Sequence, residues 1–308
     1  MAIDHCLITA AGLGTRMGEI GKRLPKILWP VFDTTLLELQ IKFAELSGAK
    51  NIFLNGHFLS PQVRNYIKER NLPVTFVHEE VLLDVGGAIY NVASLPEVNH
   101  QGTMLVLNGD QFLFFDQEKL RSSINLLDQY DGVLFGIKVP GGAGYRETKV
   151  QDGRLIDIVA AHHQTDSYQT YSGVSLFNLE KIEKRAGVQP FFDSIANYRS
   201  RPLAFIPLDD YHYWDFGTAT RYAHSLFSVL KAQSSAMALF LDQYNGWDRR
   251  KLGNLSYNAG DGIINMGLGD VSSKSAGPSI ILASHRDECV MVEKSSLSYY
   301  DLRAGFEG

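Results

Sequence analysis

Cysteine is nearly absent from this chain. Cys6 and Cys289 are the only two in 308 residues, too few and too far apart for a disulfide framework or a zinc-ligand cluster, and such thiols suit a reducing compartment. Also missing is any run of about 18 apolar residues, so no membrane-spanning helix is expected. Positive charge is not in excess: 29 lysines and arginines face 34 aspartates and glutamates, for a formal net charge of −5. That balance argues against a nucleic-acid partner, which needs a basic face. The opening Met1-Ala2-Ile3-Asp4-His5 has no basic stretch ahead of an apolar one, so no secretory signal is expected and the expected location is cytoplasmic. Two nucleotide-binding signatures are incomplete as well. Gly12-Leu13-Gly14 lacks the third glycine of a dinucleotide site, and no Gly-Lys-Ser/Thr closes a phosphate loop.

What the chain does have is an ordinary globular composition, 45% hydrophobic and 20% charged, at a length that allows a full-sized core. Cys6-Leu7-Ile8 reads as a buried first strand. Thr35-Leu36-Leu37-Glu38 is a capping box opening a helix that Gly48 stops. Ile52-Phe53-Leu54 is the next strand, and Ser60-Pro61 starts a helix ending near Asn71. Strands at Val74–Val77 and Met104–Leu107 flank a short helix over Ala88–Leu95. A helix from Asp116 to about Asp128 then leads to a strand at Val133–Ile137. This rhythm predicts an α/β fold with a doubly wound, mostly parallel, Rossmann-like sheet whose ligands lie above the carboxyl ends of its strands.

Beyond Val139 the rhythm changes. Thr148–Val150 and Leu155–Ile158 read as a hairpin through Asp152-Gly153, followed by a strand at Val174–Phe177. Helices are expected near 180–186 and 190–199, a strand at Leu203–Pro207, and a closing helix over Thr220–Ala232. Residues 1–233 are assigned to this domain. Residues 234–308, rich in Gly and Ser with β-like pieces at Ser279–Leu282 and Cys289–Val292, are expected to form a small β-rich appendage.

The most informative segment is Leu7-Ile8-Thr9-Ala10-Ala11-Gly12-Leu13-Gly14-Thr15-Arg16, with Lys26 ten residues beyond the arginine. Glycines let backbone amides approach an anion, and the cations neutralise it; the pattern describes a triphosphate site. Val106-Leu107-Asn108-Gly109-Asp110 is an apolar strand ending in an aspartate at the sheet's ligand edge. Trp214-Asp215-Phe216-Gly217-Thr218 places a second aspartate before a Gly-Thr turn that opens a helix. Taken alone, each aspartate also reads as a helix cap or turn residue.

Together these segments resemble the sugar-nucleotide pyrophosphorylases, the NTP:sugar-1-phosphate nucleotidyltransferases, across about residues 3–225. The resemblance implies a GT-A-type sheet and an NTP and a sugar-1-phosphate as substrates, joined by in-line attack at the α-phosphate with release of pyrophosphate. It implies that Ala10, Ala11, Gly12, Gly14 and Thr15 bind the nucleotide, that Arg16 holds the departing pyrophosphate and that Lys26 neutralises the reacting phosphates. It also implies that Asp110 and Asp215 share a catalytic Mg²⁺, an ion that suits hard carboxylate oxygens. His78–Ala88 matches the family's second nucleotide loop, which brings Glu80, Gly86 and Gly87 to the nucleotide. Taken without the flanking match, Gly86 and Gly87 also read as packing glycines at a helix start.

Many members carry Glu-Lys after the hairpin, where the lysine meets the sugar phosphate; this chain has Ala160-Ala161, then His162-His163. Tyr171-Ser172-Gly173-Val174-Ser175 is similar to a segment of the N-acetylmuramate-1-phosphate uridylyltransferases, which also lack Glu-Lys. That likeness favours UTP and assigns Asn108, Ser172 and Gly173 to the sugar phosphate. Guanylyltransferases acting on mannose- or heptose-1-phosphate share much of the frame, so base and sugar stay open. Tyr168, Tyr171, Tyr211, Tyr213 and Trp214 are candidates for a sugar pocket or for core, and His162 and His163 for ligands or a solvated loop. Two rival classes remain. A GT-A glycosyltransferase would show Asp-x-Asp in place of Asn108-Gly109-Asp110, and a non-catalytic nucleotide-sugar sensor has no use for Arg16, Lys26, Asp110 and Asp215 together. The appendage is open to three roles: a homodimer contact, a cap on the main domain, or a partner surface.

Overall fold

The computed structural model describes residues 2–17, 21–22, 24–32, 34–161, 166–232 and 234–245, and beyond these only strand segments between 256 and 307. His162 and His163 lie outside the described residues. In chain order to residue 215 the strands are β1 (His5–Thr9), β2 (Pro30–Val31), β3 (Thr34–Thr35), β4 (Asn51–Gly56), β5 (Thr75–His78), β6 (Thr103–Asn108), β7 (Gln111–Phe114), β8 (Gly132–Pro140), β9 (Arg146–Gln151), β10 (Arg154–Ala160), β11 (Ser167–Asn178), β12 (Leu203–Pro207) and β13 (His212–Asp215). The helices are α1 (Leu36–Leu46), α2 (Ser60–Arg70), α3 (Asp84–Ala93), α4 (Gln117–Ser123), α5 (Ala219–Lys231) and α6 (Ala236–Asn245).

Nine strands form the central sheet in the order β5-β4-β1-β6-β11-β8-β12-β10-β9. β5, β4, β1 and β6 run parallel, as do β8 and β12. β11 is antiparallel to β6 and β8, and β10 is antiparallel to β12 and β9. Only β11 and β10 therefore oppose the common direction, so the sheet is mixed but mostly parallel, as expected. Side chains alternate along β1: Cys6 and Ile8 enter a core shared with α1, α2 and α5, while Leu7 enters a second core with α3. Two cores on opposite faces are what a doubly wound sheet requires.

Local chemistry explains the element ends. Glu38 N–H donates to Thr35 Oγ1 (3.3 Å) and Thr35 N–H donates to Glu38 Oε2 (3.1 Å), completing the capping box of α1. The β9–β10 hairpin turns through Asp152 (φ 49°) and Gly153 (φ 73°), the left-handed pair that a two-residue turn needs. The two helices expected over 180–199 are absent. Single 3₁₀ turns at Leu179–Lys181 and Phe191–Asp193 stand there instead, interrupted by Gly187 and Pro190. Although α6 follows residue 233, it packs on the main core: the Phe240 ring lies 5.5 Å from Phe114, 5.9 Å from Phe112 and 6.1 Å from Phe43. A separate six-stranded sheet contains Ser256–Asn258, Ile263–Asn265, Ser279–Ala283, Cys289–Glu293, Tyr300–Asp301 and Phe306–Glu307. Among the described residues no helix is long and apolar enough to cross a membrane.

Candidate active site

Where β1 ends at the carboxyl edge of the sheet, the chain turns through Ala10–Gly14 and opens a cavity of about 400 Å³. Ala10, Ala11, Gly12, Gly14, Thr15, Arg16 and Lys26 all line it, as does the Asn108–Gln111 turn that follows β6. Gly14 takes φ +66°, a value that an L side chain rarely adopts. The turn is anchored from the side by Ala10 N–H, which donates to Asn55 Oδ1 at 2.7 Å.

The two acids predicted from sequence are brought together by strands that sequence reading missed. β7 and β13 pair antiparallel, with Gln111 opposite Asp215. Phe216 N–H then donates to the carbonyl of Asp110 at 2.8 Å. Asp110 and Asp215 thus flank Gly217. A Cβ on that glycine would stand 2.7 Å from Asp215 Oδ1 and 3.2 Å from Asp110 Oδ2. Lys26 Nζ pairs with Asp110 Oδ2. Asp215 Oδ2 accepts from the Tyr145 hydroxyl (2.6 Å) and from Arg221 Nη1 (2.7 Å), and its Oδ1 accepts from Gly217 N–H (2.6 Å). Each acid therefore has its own basic partner.

Arg221 also lies over the Tyr145 ring, 5.0 Å from its centre. Burial, then the bond to Asp215, pushes the Tyr145 phenol up to about 12, so it stays a donor at neutral pH. Burial, then the Asp215 charge, raises the Tyr213 phenol as well. Neither Arg221 nor Tyr145 was singled out in the sequence. Arg221 did leave a signal, because an arginine three residues past the Thr218 cap opposes the helix dipole and calls for a local acid.

The open side of Gly217 is a cradle that a methyl group would fill, bounded by two carboxylates. Those hard oxygens fit a small divalent cation that takes its remaining ligands from phosphate and water. Among the described residues no cluster of three or more His, Cys, Asp or Glu is arranged to hold a metal by itself.

In the second loop the cavity is lined by Glu79 and not by the expected Glu80. Glu79 is 2% exposed and lines the cavity, whereas Glu80 is exposed and does not. Asn55 Nδ2 donates to Glu79 Oε1 (2.8 Å) and Leu83 N–H donates to Glu79 Oε2 (3.1 Å), so a buried chain of hydrogen bonds joins this loop to the Ala10 turn. Gly86 and Gly87 do not line the cavity; they are packing glycines. A Cβ on Gly86 would lie 2.2 Å from Ser194 Oγ, and one on Gly87 would lie 2.7 Å from the Gly187 carbonyl. Their smallness lets the start of α3 touch the 187–194 segment.

The residues expected to hold the sugar phosphate separate likewise. Asn108 lines the cavity, donating to Gln111 Oε1 (2.7 Å) and accepting from Thr9 Oγ1 (3.3 Å). Ser172 is buried, with its hydroxyl donating to the Phe135 carbonyl (2.8 Å). Gly173 sits behind the cavity wall, where a Cβ would meet Asn108 Nδ2 at 2.4 Å. Among the aromatic candidates, Tyr171 stacks on Phe191 in the core and Tyr168 clamps the Tyr145 backbone through its hydroxyl.

Fold and site thus define an α/β domain with a cavity at the carboxyl edge of its sheet and two carboxylates on either side of Gly217. Residues 5–141 match the family model described as Nucleotidyl transferase. Over 119 residues the chain is 32% identical to the D-glycero-alpha-D-manno-heptose 1-phosphate guanylyltransferase of Campylobacter jejuni, covering 38% of this chain and 52% of that protein. Over 162 residues it is 30% identical to the bifunctional protein GlmU of Francisella tularensis, covering 52% of this chain and 33% of that one. The chain therefore spans about half the length of the first relative and a third of the second. HddC from Yersinia pseudotuberculosis shares the fold with a TM-score of 0.62 at 22% identity, over 73% of this chain and 99% of that one. A UDP-glucose pyrophosphorylase shares it with a TM-score of 0.57 at 16% identity, over 74% of this chain and 99% of that one.

Proposed function

We propose that this chain transfers a nucleotidyl group from a nucleoside triphosphate, GTP foremost, to a sugar-1-phosphate. The observation that carries the reading is that Lys26, Asp110 and Gly217 line the cavity onto which the Ala10–Arg16 turn opens, with Lys26 paired to Asp110 and Asp215 flanking Gly217 beside them.

The chemistry is set by charge. An oxygen of the sugar phosphate, already ionised near neutral pH, forms a bond to the α-phosphorus. The bond from that phosphorus to the β-phosphate oxygen breaks, and pyrophosphate leaves with the electron pair. No general base is required, so alignment and neutralisation are the protein's work. Amides of the Ala10–Gly14 turn cradle phosphate, and Arg16 and Lys26 offset its charge. Asp110 and Asp215 are the residues that would hold Mg²⁺, which when bound supplies Lewis-acid polarisation of the phosphate oxygens. Arg221 and Tyr145 fix the orientation of Asp215.

Two observations favour GTP over the UTP expected from the Tyr171–Ser175 likeness. One relative is a guanylyltransferase by name. In addition, Glu79 is a buried cavity-lining carboxylate with no ion-pair partner among the described residues, held by one amide on each oxygen. Guanine offers two adjacent N–H donors to such a group, whereas uracil offers one donor between two acceptors. The Ser172 hydroxyl, by contrast, is already committed to a backbone carbonyl. The test is pyrophosphate release with each common NTP against a panel of sugar-1-phosphates and Mg²⁺. Turnover with GTP supports the reading; nucleotide binding without release in any combination refutes it.

A further inference from the structure

The buried face of α1 is apolar except at one place. Gln40 is 0% exposed among Leu36, Leu37, Leu39, Ile41, Phe43 and Ala44. Its Nε2 donates to two carbonyls, that of Gln111 at 2.7 Å and that of Asn108 at 3.2 Å. These carbonyls bracket the turn carrying Gly109 and Asp110. Its Oε1 is buried and finds no partner among the described residues. Reversing the amide would only aim Oε1 at two carbonyl oxygens, so the partners dictate the orientation. A buried carbonyl without a donor costs stability, and an apolar side chain would avoid that cost only by taking the Gln40 donor from the Asn108 and Gln111 carbonyls.

The turn it holds is otherwise anchored from the front. Gly109 N–H donates to the Thr9 carbonyl at 3.0 Å, and a Cβ there would lie 2.8 Å from that same oxygen. Gln40 closes the back. We propose that Gln40 is a positioning residue: from the helix behind the sheet it holds the Asn108–Gln111 turn so that the Asp110 carboxylate faces Asp215 across Gly217. This rests on reading Asp110 as part of the reacting centre. It also accounts for an amide kept in an apolar core with its Oε1 unpartnered, as expected where activity depends on placement.

The test is Gln40→Met in the full chain, with three readouts: thermal unfolding midpoint, amide exchange of the peptide spanning 108–112, and kcat and KM for the best substrate pair of the unsubstituted protein. The expected result is an unfolding temperature lowered by about a few degrees at most, with faster exchange confined to 108–112. With these comes a kcat lower by about tenfold or more at a nucleotide KM within about twofold. Unchanged exchange with unchanged kcat overturns the proposal. So does a lower unfolding temperature with exchange raised throughout, which would make Gln40 a structural residue only. Gln40→Glu, which sets an acceptor against both carbonyls, should lower kcat further, and full activity in that variant also overturns it. If the unsubstituted protein shows no transfer with any substrate, the functional reading fails by itself, while exchange and thermal data still decide whether Gln40 holds the turn.

Discussion

Phe216 N–H donates to the carbonyl of Asp110, 2.8 Å away, tying together two chain segments more than a hundred residues apart. The bond sits at the end of the β7–β13 ladder and sets the two acids on either side of Gly217. What the acids do as a pair depends on that short ladder.

Gly217→Ala puts a methyl group where the cradle is, 2.7 Å from one carboxylate oxygen and 3.2 Å from the other. The backbone there needs no left-handed conformation, so the folded state should survive. We expect a loss of kcat of about a hundredfold, the scale of a small misplacement at a reacting centre, with a higher Mg²⁺ concentration needed for half-maximal rate. Normal metal dependence in this variant would argue against a cation between the acids.

Asp110→Asn and Asp215→Asn should each keep the far-ultraviolet circular dichroism of the parent and lose activity by about a hundredfold or more. In the second case Arg221 also loses its charge partner at 2.7 Å.

Glu79→Gln keeps the shape of the side chain but replaces a carboxylate oxygen with a donor. Discrimination for guanine should fall by about 1–3 kcal/mol, the scale of a two-point base contact, read as kcat/KM for GTP against UTP. An unchanged ratio would remove Glu79 from base selection.

Much of this site could be read in the sequence, and the remainder follows a physical pattern. The Ala10–Arg16 turn and Lys26 are close in the chain, and a turn followed by cations at fixed spacing is a local signal. The capping box of α1 and the Asp152-Gly153 turn are local too. β7 and β13 are four-residue strands pairing across the chain, and such a ladder leaves no mark on either segment alone. Nor does a strand order in which β11 enters between β6 and β8. Glu79 and Glu80 differ by one position, and only the tertiary register decides which is buried. Gly86 and Gly87 show the same limit, since glycine serves close packing and ligand approach alike.

Phe240 should report that α6 belongs with the main body. Its ring is 4% exposed against Phe43, Phe112 and Phe114. Phe240→Ala should destabilise by about 3–5 kcal/mol in chemical denaturation, and a chain ending at residue 233 should unfold well below one ending at 245.

Burial pushes the Cys6 thiol up, so the reactive thiolate is disfavoured at every pH where the fold persists. With Cys289 replaced by Ser, thiol labelling should be negligible from neutral to mildly alkaline pH and should appear only with denaturant. Labelling that rises with pH in the native protein would contradict the packing of β1.

The central claim, that Asp110 and Asp215 serve one reacting centre, is tested most directly by a double-mutant cycle on kcat/KM for nucleotidyl transfer. Groups that act as a unit lose function together, so the Asp110→Asn, Asp215→Asn double variant should be no slower than the worse single variant by more than a few-fold. Losses that multiply across the two positions would mean that the acids work independently, and would contradict the account.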